Sequence, residues 1–282
     1  VTECFFVSDL HGGIERYEKL LGAVRLAPPD AVFIGGDILP SLARSGEHPD
    51  FIQDYLLPRL ESLRTELGPS YPKVFVILGN DDPRIEEEAI RGGEARGLLL
   101  YMHMRKEPLE QWTVYGYAMT SPSPFRLKDW ERYDVSRYVD PGSVSPEEGV
   151  LTVPVPPDEL RFGTIAEDLQ TLAGSDDLGN AVMLFHAPPY RTSLDRAPLD
   201  EVTVDHVALD VHIGSIAIRR FIEERKPLVT LHGHAHESAR LTGWWRERIG
   251  RTLAFSAAHD GPELALVRFD LENPEGAVRE LR

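Results

Sequence analysis

Five short apolar runs constrain this chain most: Cys4–Val7, Ala31–Ile34, Val74–Leu78, Ala181–Phe185 and, broken only by Thr230, Pro227–Leu231. Each is of strand length and lacks polar alternation, so each reads as a strand covered on both faces. Helix-patterned stretches separate them. Ile14–Val24 repeats Tyr17, Leu20, Leu21 and Val24 at helical spacing, and Phe51–Leu67 is amphipathic with Pro58 kinking or splitting it. Leu160–Leu172 and Ile216–Arg225, the latter behind the N-cap Ser215, follow. Strands alternating with helices specify α/β layering. In such sheets ligands collect at the carboxyl ends of the strands.

Those ends are where the polar residues fall. The first run ends in Ser8-Asp9-Leu10-His11-Gly12-Gly13, the second in Gly35-Gly36-Asp37 and the third in Gly79-Asn80-Asp81-Asp82-Pro83. The fourth delivers His186 and the fifth His232-Gly233-His234-Ala235-His236. If the fifth strand persists, residues two apart leave it on the same side, so His234 and His236 would point together. Each motif alone is ordinary, because single carboxylates and amides after strands usually form turns. Together, Asp9, His11, Asp37, Asn80, His186, His234 and His236 make a ligand set for two divalent ions. Mixed imidazole and carboxylate donors favour Mn, Fe, Zn or Co over Mg or Ca.

Charge and length bound the partners. The net charge of -16, from 30 Lys+Arg against 46 Asp+Glu, opposes a broad nucleic-acid-binding face. It leaves room for a small phosphate ester held where bound cations dominate. The one cysteine, Cys4, cannot form an internal disulfide and points to a reducing cytoplasm. No apolar run approaches the length of a membrane span. The 282 residues are expected to form a single domain, 1–282. Ser121–Pro157, with seven prolines and Trp130, Tyr133 and Tyr138, is expected to be an ordered excursion walling the substrate site. Ala187–Ile213, a long polar connection, is expected to flank the same site.

Asp9-Leu10-His11, Gly36-Asp37, Gly79-Asn80, His186 and Gly233-His234-Ala235-His236, in this order and spacing, resemble the calcineurin-like metallophosphoesterases. The resemblance runs from Ser8 to Glu237. It implies a four-layer αββα sandwich with a dimetal site at the carboxyl ends of the strands. It also implies a division of ligands: Asp9, His11 and His236 on one ion, Asn80, His186 and His234 on the other, and Asp37 shared. A hydroxide bridging two such ions would attack phosphorus in line.

One motif departs from the family pattern. Many members carry a histidine after the asparagine of the third motif, where it assists the leaving group; here Asp81 stands there. A carboxylate beside two dications stays ionised. It cannot donate a proton, and it repels a dianionic monoester more than a monoanionic diester. The expectation is therefore a phosphodiesterase rather than a phosphomonoesterase. His232, two residues before His234, and His259, after a late strand, are the histidines offered to supply the missing proton. Arg44, Arg84 and Arg191, each following a metal motif, are the candidate phosphate contacts. Two other readings stand beside this one: a nuclease, and a metal-binding but catalytically silent interaction module of the same fold.

Overall fold

The computed structural model describes residues 1–40 and 50–282. Its first sheet begins with β1 (Glu3–Val7), β2 (Ala31–Gly35), β3 (Lys73–Ile77) and β4 (Leu100–Tyr101). The chain then crosses to a second sheet through β5 (Arg105–Leu109), β6 (Trp112–Tyr117) and β7 (Ala181–Phe185). A small hairpin, β8 (Thr203–Val204) and β9 (Val207–Ala208), precedes β10 (Val229–His232), β11 (Arg246–Ile249) and β12 (Thr252–Ser256). β13 (Ala265–Asp270) and β14 (Asn273–Leu281) return to the first sheet. The sheet orders are β14-β13-β1-β2-β3-β4 and β11-β12-β10-β7-β6-β5.

Helices α1 (Ile14–Leu26), α2 (Leu57–Leu67) and α3 (Glu87–Ala95) connect strands of the first sheet. In the chain, α4 (Pro157–Phe162) and α5 (Ile165–Ala173) lie between β6 and β7, and α6 (Ile216–Arg225) lies between β7 and β10. A short α7 (Ser238–Thr242) follows the last histidine motif. The architecture is thus two central sheets flanked by helices, the sandwich expected. Apolar inner faces hold the sheets together. Phe33 stacks on Phe75 at 5.2 Å within the first sheet, and Phe255 of the second meets Phe269 of the first at 5.6 Å. All five residues of β2 and of β7 are buried, as continuous apolarity required.

Local departures from the sequence reading have physical causes. Pro58 lies inside α2, and its missing N–H leaves the carbonyl of Asp54 without its α-helical donor. The preceding turn, Ile52–Leu56, widens to a π-helix instead of breaking. The expected helix Leu160–Leu172 is two helices, α4 and α5, separated by Gly163 and the N-cap Thr164, whose hydroxyl accepts from Glu167 N–H. At the start of α6, Ser215 caps as expected by accepting from Ile218 N–H.

The parallel order β1-β2-β3 and β7-β10 brings five strand ends to one edge of the sandwich. Ser121–Pro157 packs as an ordered excursion around the fully buried Trp130 and a buried Lys128–Glu131 ion pair. Asp129 on it accepts from the backbone of Arg84, just past the third motif. Asp134 accepts from Ser215, Ile216 and Ala217 at the start of α6.

Candidate metal centre

The turn after β1 is ordered by continued pairing with the turn after β2. Asp9 N–H donates to Gly36 O at 3.0 Å, His11 N–H to Asp37 O at 2.8 Å and Gly12 N–H to Ile38 O at 3.0 Å. The paired ends are bent sharply. Asp9, His11, Asp37 and His234 all have positive φ, 56°, 46°, 52° and 72°. Non-glycine residues held there cost about 1–3 kcal/mol each and concentrate at functional sites. Gly36, at φ 93°, lies so close to His186 that an added Cβ would sit 2.6 Å from its Nδ1. A Cβ on Gly233 would meet Ser8 Oγ at 2.0 Å, so the fifth motif can reach the first only through glycine.

His234 and His236 do not come together by leaving a strand in step. β10 ends at His232, and the chain turns through Gly233 and the left-handed His234. The turn is anchored from the other sheet, because His234 N–H donates to Asp9 Oδ1 at 3.0 Å.

Two groups of donors result. In the first, His236 Nε2 lies 3.1 Å from Asp9 Oδ1 and 3.2 Å from His11 Nε2. Asp9 Oδ2 is buried and has no hydrogen-bond partner among the described residues. Ligand atoms of Asp9, His11, Asp37 and His236 all lie within 4.8 Å of one another. In the second, His186 donates from Nδ1 to Gly35 O at 2.8 Å, so in the neutral ring, the form a metal takes, Nε2 carries the lone pair. That lone pair faces Asn80 Oδ1 at 3.0 Å and Asp37 Oδ2 at 3.3 Å. His234 Nδ1 approaches the same Asn80 oxygen at 2.7 Å. Asn80 Nδ2 donates to Asp81 Oδ1 at 3.1 Å, so its amide oxygen is the atom turned toward the imidazoles. With the imidazoles neutral, both groups present converging acceptors, the arrangement that a cation satisfies. The residues fit a divalent ion at each.

The electrostatics of the protein groups carry the same message. Burial alone would raise the Asp9 carboxyl, but the hydrogen bond and charge of His236, with His186 and His11, hold it well below the usual range. Asp37 is likewise lowered, burial being outweighed by His186. Burial would lower His186, yet Asp37 and Asp9 raise it to about 10, and His236 rises to about 9 beside Asp9. His234, desolvated and facing His186, falls to about 4. Asp81 is raised by burial and by Asp37.

A buried neighbour organises the site from behind. The fully buried Asp82 carboxylate accepts from Ile38 N–H at 3.1 Å, Leu39 N–H at 2.8 Å and Gly79 N–H at 2.9 Å, tying the second motif to the third. Arg16 donates to the carbonyls of Asp9 and Gly261, tying the first motif to the loop after β12. Sequence reasoning missed both residues. For Asp82 the one available signal was a second carboxylate directly before Pro83.

The remaining candidates fare differently. His232 does not face the site: it is fully buried, donates from Nδ1 to Ala187 O at 2.9 Å and accepts at Nε2 from the Thr230 hydroxyl at 2.8 Å. The reason is that the strand stops at this residue, so it belongs to the core face and stacks on Phe185. His259 lies in the loop that Arg16 fastens to Asp9, with Nε2 3.0 Å from Glu263 Oε2. Arg84 lies over the Trp130 ring and pairs with Glu87; Arg191 lies over the Tyr190 ring. Arg44 is outside the described residues. A cavity of about 10 Å3 lies between Arg84, Lys128, Glu131 and Arg132, enough to hold a water.

Strand-end carboxylates, imidazoles and an amide converging in a sandwich of this topology define a metal-dependent phosphoesterase class. The family of calcineurin-like phosphoesterases matches residues 4–238, and the chain belongs to it. Among solved structures, TT1561 of Thermus thermophilus is similar with a TM-score of 0.58 and 15% identity, covering 100% of this chain and 99% of that one. A dimetal phosphatase from Danio rerio is similar with a TM-score of 0.52 and 13% identity, covering 95% and 92%. At these identities the likeness is one of fold. An uncharacterized protein, MJ1162 of Methanocaldococcus jannaschii, is 34% identical over 79 residues, which span 27% of this chain and 30% of that protein. Among the described residues, no helix is long and apolar enough to cross a membrane.

Proposed function

We propose that this chain, acting as one domain, is a cytoplasmic dimetal phosphodiesterase of small phosphate esters. Asp9, His11 and His236 hold one ion, Asn80, His186 and His234 the other, and Asp37 both, with Mn, Fe, Zn or Co as the ions. Ions so held would supply an activated hydroxide and positive charge for the phosphoryl oxygens in in-line attack. The protein's own part is to fix the ligands. His186 is oriented by Gly35 O, Asn80 by Asp81, and Asp37 by the N–H of Asp81, which donates to its Oδ1 at 2.9 Å.

The observation that carries the diester preference is Asp81. Its carboxyl accepts from Asn80, stands 3.8 Å from His11 Nδ1 and has a side chain 39% exposed, so it presents charge at the mouth of the site. Burial and Asp37 push this group up, and two adjacent dications oppose them with opposite charge, which favours the carboxylate. A fixed anion there discriminates against the second negative charge of a monoester. His259 remains a candidate contact by its loop, and Arg84 and Arg191 by their positions after the motifs. The net charge of -16 supports a small substrate over a nucleic acid.

The test is hydrolysis of bis-p-nitrophenyl phosphate against p-nitrophenyl phosphate by Mn-loaded protein, with Asn80→Ala as control. The diester should be turned over faster, and Asn80→Ala should lose about 100-fold or more. Faster monoester turnover would overturn the preference. Two bound ions with no turnover of either ester would favour the silent interaction module.

A further inference from the structure

With Asp81 unable to donate, a leaving alkoxide needs its proton from elsewhere. Of the ten histidines, four are candidate metal ligands of the strand ends and turns. His232 has both nitrogens engaged in the core, and His103 accepts from Ala118 N–H at Nδ1, wedged between Tyr117 and Trp130. His259 spends Nε2 on the exposed Glu263, His206 stands at the tip of the β8–β9 hairpin, and His48 lies outside the described residues. His212 is different. Its Nδ1 donates to Asp195 Oδ1 at 2.8 Å, and its Nε2 has no partner among the described residues.

Asp195 is built for holding an imidazole. It is fully buried, and besides His212 it accepts from Arg191 N–H at 2.9 Å, Thr192 N–H at 2.9 Å and Gly214 N–H at 3.2 Å. Four donors fix the carboxylate, and the carboxylate fixes the ring's tautomer and leaves Nε2 without a partner among the described residues, the arrangement of an acid–base histidine and its orienting group. The His212 side chain is 27% exposed. His212 N–H donates to Asp210, whose other oxygen takes the Tyr190 hydroxyl, and the Tyr190 ring lies edge-on to the imidazole at 6.0 Å.

The dyad also stands at the correct edge of the sandwich. The segment leaves β7 immediately after His186, and its returning end is tied back there: Ser215 N–H donates to Pro188 O at 2.9 Å and Tyr190 N–H to Ser215 O at 3.0 Å. Ser193, within the same loop, accepts at its carbonyl from Thr242 at the end of α7, six residues past His236. The loop carrying Asp195 and His212 is therefore fastened beside both histidine motifs of the second sheet.

We propose that His212, oriented by Asp195, is the proton donor to the leaving group; the proposal rests on the phosphoester-hydrolase reading. As hydroxide oxygen bonds to phosphorus, the bond from phosphorus to the ester oxygen breaks with its electron pair on that oxygen. The Nε2 proton of the His212 imidazolium moves to it, leaving neutral imidazole still donating Nδ1–H to Asp195. Water then restores the proton.

The test compares wild type with His212→Gln on methyl aryl phosphates whose leaving groups run from p-nitrophenol to phenol. A good leaving group departs without help, so p-nitrophenyl turnover should change by about threefold or less, while phenyl turnover should fall about 100-fold. Imidazole added to His212→Ala should restore the phenyl ester selectively. Unchanged Tm and ion content would show the fold and ligand set intact. Equal loss across the series, or none for the phenyl ester, overturns the role. Wild-type preference for monoesters would overturn the diester reading alone, and the same aryl series run as monoesters would then test His212 by the same criterion. Wild type that cleaves neither class overturns both.

Discussion

Single side chains in this protein are set by which of their atoms are already engaged. His232 donates to Ala187 O and accepts from Thr230, so protonation would cost it the second bond; burial lowers it to about 4. In the unfolded chain the same ring titrates near 6.5. The sign follows: above pH 6.5 both states are neutral, and between pH 6.5 and about 4 only the unfolded chain takes the proton. Stability should fall there by about 1.4 kcal/mol per pH unit from this residue. Denaturant titrations at pH 7 and 5 should show it, with a shallower pH slope in His232→Asn. His103, lowered to about 3 by burial and nearby arginines, adds to the same acid limb. Asp81 invites the converse experiment. Asp81→His should raise p-nitrophenyl phosphate turnover relative to the diester by about tenfold or more, and an unchanged ratio would detach substrate choice from this position. The identity of the seven convergent residues was legible in the sequence because donor residues recurred at strand ends. Their left-handed backbones at Asp9, His11, Asp37 and His234 were not, since nothing in the residue types calls for positive φ there.

Elements buried on both faces were legible for a plain reason: they are apolar almost throughout, β10 departing from this only at Thr230 and His232. β1, β2, β3, β7 and β10 were found within a residue or two. β14 was missed because it is an edge strand whose exposed residues are polar, and β8 and β9 because two-residue strands carry no pattern. The misplacement of His232 came from extending β10 past the residue where it stops. Between elements, Asp82 is the clamp: one carboxylate joins the turn after β2 to the turn after β3. Asp82→Ala should leave three buried N–H groups unpaired and cost about 3–5 kcal/mol, read from the denaturation midpoint. Asp82→Asn, which keeps one oxygen, should cost less. A loss below about 1 kcal/mol in the alanine variant would mean that solvent replaces the carboxylate. Gly36→Ala, pressed against His186 at positive φ, should lower ion content while leaving the sheets folded, as metal analysis beside circular dichroism would report.

At the scale of the molecule, the excursion 121–157 fastens the turn after the third motif and the start of α6 through Asp129 and Asp134. Removal of the ions by a chelator should lower Tm, because ligands drawn from both sheets lose their common partner. The drop should shrink in Asn80→Ala, and no drop in wild type would argue that the sheets hold without help at that edge. The donor groups also join distant parts of the chain, with His236 standing 227 positions from Asp9 and His186 106 from Asn80. Contacts that draw on both sheets are expected to complete late in assembly, when the two sheets have closed on each other. Ions captured there act on the exit from the native state more than on the approach to it. They should leave the refolding rate nearly unchanged and slow unfolding, so that the protein's lifetime, rather than its speed of maturation, is what metal supply controls.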